Sequence, residues 1–252
     1  MTLVAVLLAG CLGAAIGSFL NVVIWRLPRG ESVVAPRSSC PQCATPIRAR
    51  DNVPVLSWAL LRGRCRDCKA AISPRYPVIE ALTALLCVAV VVVLGPGTQA
   101  WLALALVLLL VPVTFIDLDH RIIPNVLMAI GAVSALALVA VLQPDALVEH
   151  LLAAAGAGGF LLVAAVAYPA GMGMGDVKLA AVLGLFLGTA VAPAMFVAML
   201  AGSVVGALII ARKGAKEGRK TAIPFGPYLA FGALVGALYG DAMVDWYLRT
   251  FV

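Results

Sequence analysis

The chain has 252 residues, 63% of them hydrophobic and 12% charged, with a net charge of +6. A soluble domain averages about 45–50% apolar and about 25% charged residues, so a water-soluble globular fold is excluded and several membrane spans are expected. In a chain this apolar, basic loops report membrane topology, and nucleic-acid binding is set aside.

Apolar runs place helices at 3–24, 78–95, 99–116, 122–142, 149–168, 177–191, 193–211 and 224–244. The first run lacks the basic n-region of a signal peptide and exceeds the about 7–15 residues of an h-region, so it reads as a retained span. Residues 177–211 are ambiguous: two short spans or one long tilted helix. The turn signal LGTAVAP, ending at Pro193, favours two. Charge supports the same choice. Ten of the 18 Lys and Arg lie between Arg26 and Arg75, and five between Arg212 and Lys220. Positive loops stay in the cytoplasm. Eight spans put both basic stretches inside, whereas seven would place 212–220 outside. The connection QPDALVEH, expected outside, carries Asp145 and Glu149 but no Lys or Arg.

The expected architecture is an all-α integral membrane protein of about eight transmembrane helices, with both termini outside. A first helix spans 1–24, a cytoplasmic loop domain 25–77, and a seven-helix membrane domain 78–252. Gly232, Gly236 and Gly240 fall at four-residue spacing on one face of the last span, a small-residue seam for close helix packing. Glu80, near the start of the second span, has no assigned role; a basic residue is one candidate partner.

Four of the six cysteines lie in the basic loop. Cys40 and Cys43, then Cys65 and Cys68, form C-x2-C-x21-C-x2-C. Two such knuckles supply four thiolates for one tetrahedral ion, and a site filled by four protein ligands is structural. Zinc is the expected metal; a reducing compartment disfavours disulfides. Cys11 and Cys87 sit in apolar runs and read as packing residues. Arg48, Arg50, Arg62, Arg64 and Arg66 surround the knuckles, a basic surface suited to anionic lipid headgroups.

The uncharged run from Gln99 to Ile116 ends abruptly in Asp117, Asp119, His120 and Arg121. A second stretch, YPAGMGMGDVKLA, carries Gly171, Gly173 and Gly175 ahead of Asp176. The eight-span topology puts both stretches at the cytoplasmic membrane boundary. Carboxylates in such a place are functional candidates, and a close pair divides into acid and base, the arrangement that activates water against a peptide bond. The plain alternative is a pair of helix-end residues, capping or solvated. Asp117 and Asp119 do not share a helix face, and spacing alone does not choose between them. Lys178 reads as an interfacial anchor.

With these residues assembled, the chain resembles the bacterial prepilin peptidases, aspartic proteases of the GxGD type. GSFLNVVIWRLPRGES, the two knuckles, SPRYPVIEALTALL, IDLDHRIIPN and GMGDVKLA resemble the family's blocks, in order, along nearly the whole length. The resemblance implies that Asp117, the first Asp of DLDH, and Asp176, the Asp of GxGD, are the catalytic pair. It implies cleavage of type IV prepilins and pseudopilins after a glycine ending a short basic leader, in the bacterial cytoplasmic (inner) membrane with the active site at the cytoplasmic face. It also implies N-methylation of the new terminus with S-adenosylmethionine; no glycine-rich fingerprint marks a donor site. A rival is a transporter or scaffold whose zinc loop recruits a partner, although transport carboxylates lie near the bilayer midplane. Another GxGD-type intramembrane protease is a nearer rival, disfavoured by the zinc loop.

Overall fold

The computed structural model describes residues 3–168, 172–214 and 223–251. Among these the chain is helical, with two isolated β-bridges and no sheet. It divides into two compact units, Met1–Pro96 and Gly97–Val252.

In the first unit, α1 (Leu3–Arg26) and α3 (Arg75–Leu94) run antiparallel in close contact. Gly13 faces Ala84 and Cys87, and Gly17 faces Glu80 and Thr83. The buried Asn21 carboxamide donates to the carbonyls of Gly17 and Tyr76 at 3.3 and 3.2 Å, so no polar group is stranded in the apolar seam. The intervening loop carries the short helix α2 (Leu56–Leu60). It is tied to α3 through Glu80, whose Oε2 accepts the Val55 N–H at 2.7 Å. Glu80, whose role was left open, is buried and holds this turn through a backbone N–H. Val55 itself sits at φ 60°, ψ −49°, an unusual conformation for a β-branched residue, in a turn closed by Leu56 N–H to the Pro54 carbonyl at 2.6 Å. The carboxylate offsets that strain by taking up the turn's N–H.

The second unit is built from α4 (Thr98–His120), α5 (Asn125–Leu142), α6 (Leu147–Ala167), α7 (Met174–Leu187), α8 (Val191–Lys213) and α9 (Gly226–Phe251). Leu106, Val107, Val113 and Ile116 make α4 its central element, each 0% exposed. Seven helical stretches among the described residues are long and apolar enough to cross a membrane, one of them the 40-residue Met174–Lys213. That stretch is not one rod. At Gly188, φ 54° ends α7, and a single 3-10 turn, Gly188–Ala190, leads into α8. Neighbours define the directions. Gly158 faces Ala181 and Gly184 faces Ala154, so α7 runs antiparallel to α6. Gly202 faces Phe225 and Tyr228, Gly236 faces Ala194, and Gly240 faces Ala190, so α8 runs antiparallel to α9. Because α9 begins against Asp117, α7 leads away from the carboxylate end and α8 returns to it. The stretch is therefore two antiparallel helices, the arrangement that the eight-span topology calls for.

Three expectations shift. The turn falls within LGTAVAP, at 188–190, so the preceding helix ends at Leu187 rather than at 191: Gly188 adopts the positive φ that stops a helix, and Pro193 fits the first turn of the next. Span three continues past Ile116 to His120: main-chain capping by Arg121, φ 54°, sets its end, not the loss of hydrophobicity. The following span begins at Asn125, after Pro124. Gly171, Lys216, Arg219 and Lys220 lie outside the described residues.

The seam of Gly232, Gly236 and Gly240 packs on Ala190, Ala194 and Ala198 of α8. At Gly232 a Cβ would collide with the Ala194 carbonyl and Ala198. Gly232→Val is therefore expected to destabilise the second unit by about 1–3 kcal/mol, read as a lower melting temperature in detergent; an unchanged melt would rule out tight α8–α9 packing.

Candidate active site and metal centre

Asp117 lies on the last turn of α4. Ile116 and Asp117 are buried while Leu118, Asp119 and His120 are exposed, so the helix aims only the first of the two aspartates into the unit. Its Oδ2 accepts the N–H of Gly226 at 2.9 Å. Asp176 is the third residue of α7, whose N-cap is Gly173. Its carboxylate reaches back to the Gly173 backbone, the position an acidic side chain favours in a first helical turn.

Contacts put the two carboxylates at one end of the unit. Ile123, six residues beyond Asp117, packs on Gly175, where a Cβ would sit 3.0 Å from the Ile123 Cβ. Both carboxylates thus lie at the end of the unit where α4 finishes and α7 begins. Lys178 Nζ donates to Asn125 Oδ1 at 2.8 Å, tying α7 to the start of α5 beside the pair. At the opposite end of the unit are Gln99 bonded to Asp241, Gln143 to Thr98, and the Thr189 N–H to Glu149.

The cysteine loop is two copies of one turn. Cys40 N–H donates to the Thr45 carbonyl at 3.0 Å and Cys65 N–H to the Ala70 carbonyl at 2.8 Å. Ser39 bridges to Pro46 and Arg64 to Ala71. Ala44 and Lys69 occupy matching left-handed positions, φ 55° and 62°. The four Sγ atoms of Cys40, Cys43, Cys65 and Cys68 lie within 4.8 Å of one another, a group that could hold a metal ion. Zinc–sulfur bonds of about 2.3 Å in a tetrahedron place sulfurs about 3.8 Å apart; Cys40 and Cys68 stand at 3.7 Å. The donor set fits zinc.

Local hydrogen bonding prepares the thiols unequally. Side-chain and backbone hydrogen bonds to Thr45 bring Cys43 down to about 6, and the N–H groups of Cys68 and Asp67 lower Cys65. The Ala70 backbone hydrogen bond favours a Cys68 thiolate, but desolvation and the other three sulfurs outweigh it and push Cys68 up to about 12. Four thiolates in this space need a cation among them. Around the site, Arg66 forks onto Asp51 at 2.6–3.0 Å and holds that carboxyl below the usual range; Arg48 pairs with Asp67 at 3.5 Å.

Residues 11–94 match the family model described as the bacterial peptidase A24 N-terminal domain, and residues 101–211 match the type IV leader peptidase family. A prepilin leader peptidase/N-methyltransferase of Aeromonas hydrophila is 38% identical over 94% of this chain and 91% of its own length. The chain belongs to the type IV leader peptidase family. A relative from Pseudomonas aeruginosa with the same name is 35% identical over 94% of this chain and 91% of its own. One from Myxococcus xanthus is 42% identical over 81% of this chain and 62% of its own. No solved structure matches the chain significantly.

For a leader peptidase, the two family matches divide where the fold does. The first ends at residue 94, within the unit Met1–Pro96; the second, from 101, contains both aspartates. Nothing in these matches favours a transporter or scaffold. Sequence reasoning missed one residue at the pair, Gly226. Its signal was the Pro-Phe-Gly-Pro run at the start of the last span, where turn-forming residues precede a helix that has no other reason to begin at a fixed point.

Proposed function

We propose that this member of the type IV leader peptidase family removes the leader of prepilin-type substrates, with Asp117 and Asp176 as its catalytic carboxylates. The observation that carries this is the placement of two carboxylates, 59 residues apart in sequence, on separate helices at the same end of the second unit. In the proposed reaction one carboxylate takes a proton from water as its oxygen attacks the scissile carbonyl carbon, and its protonated partner gives a proton to the carbonyl oxygen. The resulting diol collapses: the first carboxylate passes its proton to the amide nitrogen, the C–N bond breaks, and a diol hydroxyl returns a proton to the second. The pair is restored, and one water has been consumed.

The side of the membrane follows from charge. The loop over 25–77, treated as a domain of its own, is basic and belongs in the cytoplasm, and so does the aspartate end, to which α8 and its terminal Arg212 and Lys213 return. Zinc in the four-cysteine site would neutralise the thiolates and cross-link the two knuckles. Arg62 and Arg64 beside it suit anionic lipid headgroups.

The names of the relatives add N-methylation of the new terminus, hence S-adenosylmethionine as methyl donor; no residue here is assigned to hold it. Both activities are open to one assay. The purified protein in liposomes, given a prepilin and labelled donor, is expected to release the leader after its terminal glycine and then to label the shortened pilin. An intact prepilin would sink the peptidase. Cutting without label would remove the methyltransferase alone.

A further inference from the structure

Gly226 is the first residue of α9, a position whose N–H has no partner inside its own helix. That N–H points at the Asp117 Oδ2, 2.9 Å away and buried. The residue is also packed against the carboxylate it serves. A Cβ at Gly226 would stand 2.7 Å from Oδ2 and 3.2 Å from Cγ of Asp117, so any side chain would push the carboxylate away or break the hydrogen bond.

Asp176 offers a parallel. Its carboxylate reaches back to the backbone of Gly173, also where a helix begins. Each aspartate is thus held by main chain at the head of a helix, α7 for Asp176 and α9 for Asp117. The GxGD motif contains the glycine for Asp176; the glycine for Asp117 stands 109 residues further along the chain.

We propose that Gly226 is a positioning residue for the aspartate pair: its N–H fixes Oδ2 of Asp117 and leaves Oδ1 as the atom that exchanges protons with water or peptide. The proposal rests on Asp117 being one of the two catalytic carboxylates. A fixed donor selects a single orientation of the carboxylate and stabilises its charged form. Such a group acts at the reacting distance, where small misplacements are felt strongly in rate.

The titratable and charged groups near this end are Asp176 and Lys178 on α7, Tyr228 on α9, Tyr168 at the end of α6, Arg212 and Lys213 at the end of α8, and Asp119, His120 and Arg121 at the end of α4 and just beyond; the facing turn of α5 adds Asn125 but no charge. Lys178 is engaged by Asn125. No cation among the described contacts therefore substitutes for the Gly226 N–H at Asp117.

The test replaces the amide N–H of Gly226 by an ester oxygen, which removes the donor and adds no side chain. A synthetic segment carrying the ester is ligated within residues 215–222 to give the full chain. Prepilin cleavage is followed against pH in liposomes. A hydrogen bond to a charged group corresponds to about a ten- to hundredfold loss in kcat/KM and a displacement of about one to two pH units. Removing a donor that favours the charged carboxylate moves the bell-shaped profile to higher pH, whether Asp117 serves as base or as acid. A merely structural role would lower the curve without moving it, and that result overturns the proposal, as does an unaltered profile. Gly226→Ala provides the same reading should the ligated chain not fold: its Cβ lengthens the bond, and the same displacement is expected. If Asp117→Asn cuts at the wild-type rate, the aspartate pair itself fails. If Asp117→Asn is dead while the ester is silent, only the role of Gly226 fails.

Discussion

Asp117→Asn and Asp176→Asn are each expected to lower prepilin cleavage by about 10²–10⁴-fold, the range by which a positioned acid or base accelerates proton transfer, while Asp119→Asn cuts at close to the wild-type rate. The three substitutions are nearly isosteric, so shape is preserved and proton exchange is lost. At position 117 an asparagine oxygen still accepts the Gly226 N–H, and the variant should melt where the wild type does. Asp119 separates the two aspartates of DLDH: it is exposed on the turn that buries Asp117. Comparing initial rates of leader release for all four proteins in liposomes checks the set. Loss at Asp119 rather than Asp117 would keep the mechanism and move the residue. Undiminished cutting by both Asp117→Asn and Asp176→Asn would remove the aspartic mechanism altogether.

The second large effect concerns the metal. Between residues 31 and 76 only Cys40, Ser57 and Gly63 are buried, far too few to hold a loop of that length by an apolar core. Purified protein is therefore expected to contain close to one zinc per chain. Cys40→Ser or Cys65→Ser, or a strong chelator, should release it. Structural zinc sites in small domains contribute about 10–16 kcal/mol of apparent binding energy at neutral pH, and its loss should open the loop to protease while the helices remain folded. Metal analysis with limited proteolysis decides the matter. A protein that is free of metal and yet resists proteolysis between residues 31 and 76 would refute a structural zinc. Release should also be promoted by acid, because protons compete with the ion for the ligating thiolates.

Legibility differed from one element to the next. The spans were readable because lipid demands long apolar runs with all backbone groups satisfied within the helix. Their ends were less so. Span three was expected to stop where charge begins, yet α4 carries its helix through Asp117 to His120, because an Arg in the left-handed region caps it there. The turn between α7 and α8 was anticipated in LGTAVAP and falls there, at Gly188, but which of its Gly and Pro residues ends the helix was not readable, since both signal breaks. The role of Glu80, open in the sequence, emerged only with the fold, which gives it the N–H of Val55.

By itself the sequence determined the membrane class, the clustering of four cysteines able to hold a metal ion, and the two stretches that carry the aspartates. Each of these follows from local chemistry: apolar length, charge asymmetry and fixed ligand spacing. Only the tertiary structure decided which aspartate of DLDH faces inward and which backbone N–H meets it. Those depend on the rotation of α4 about its axis and on where α9 begins, 109 residues later. Helical rotation is set by what packs against a helix, and no spacing within α4 reports the position of α9.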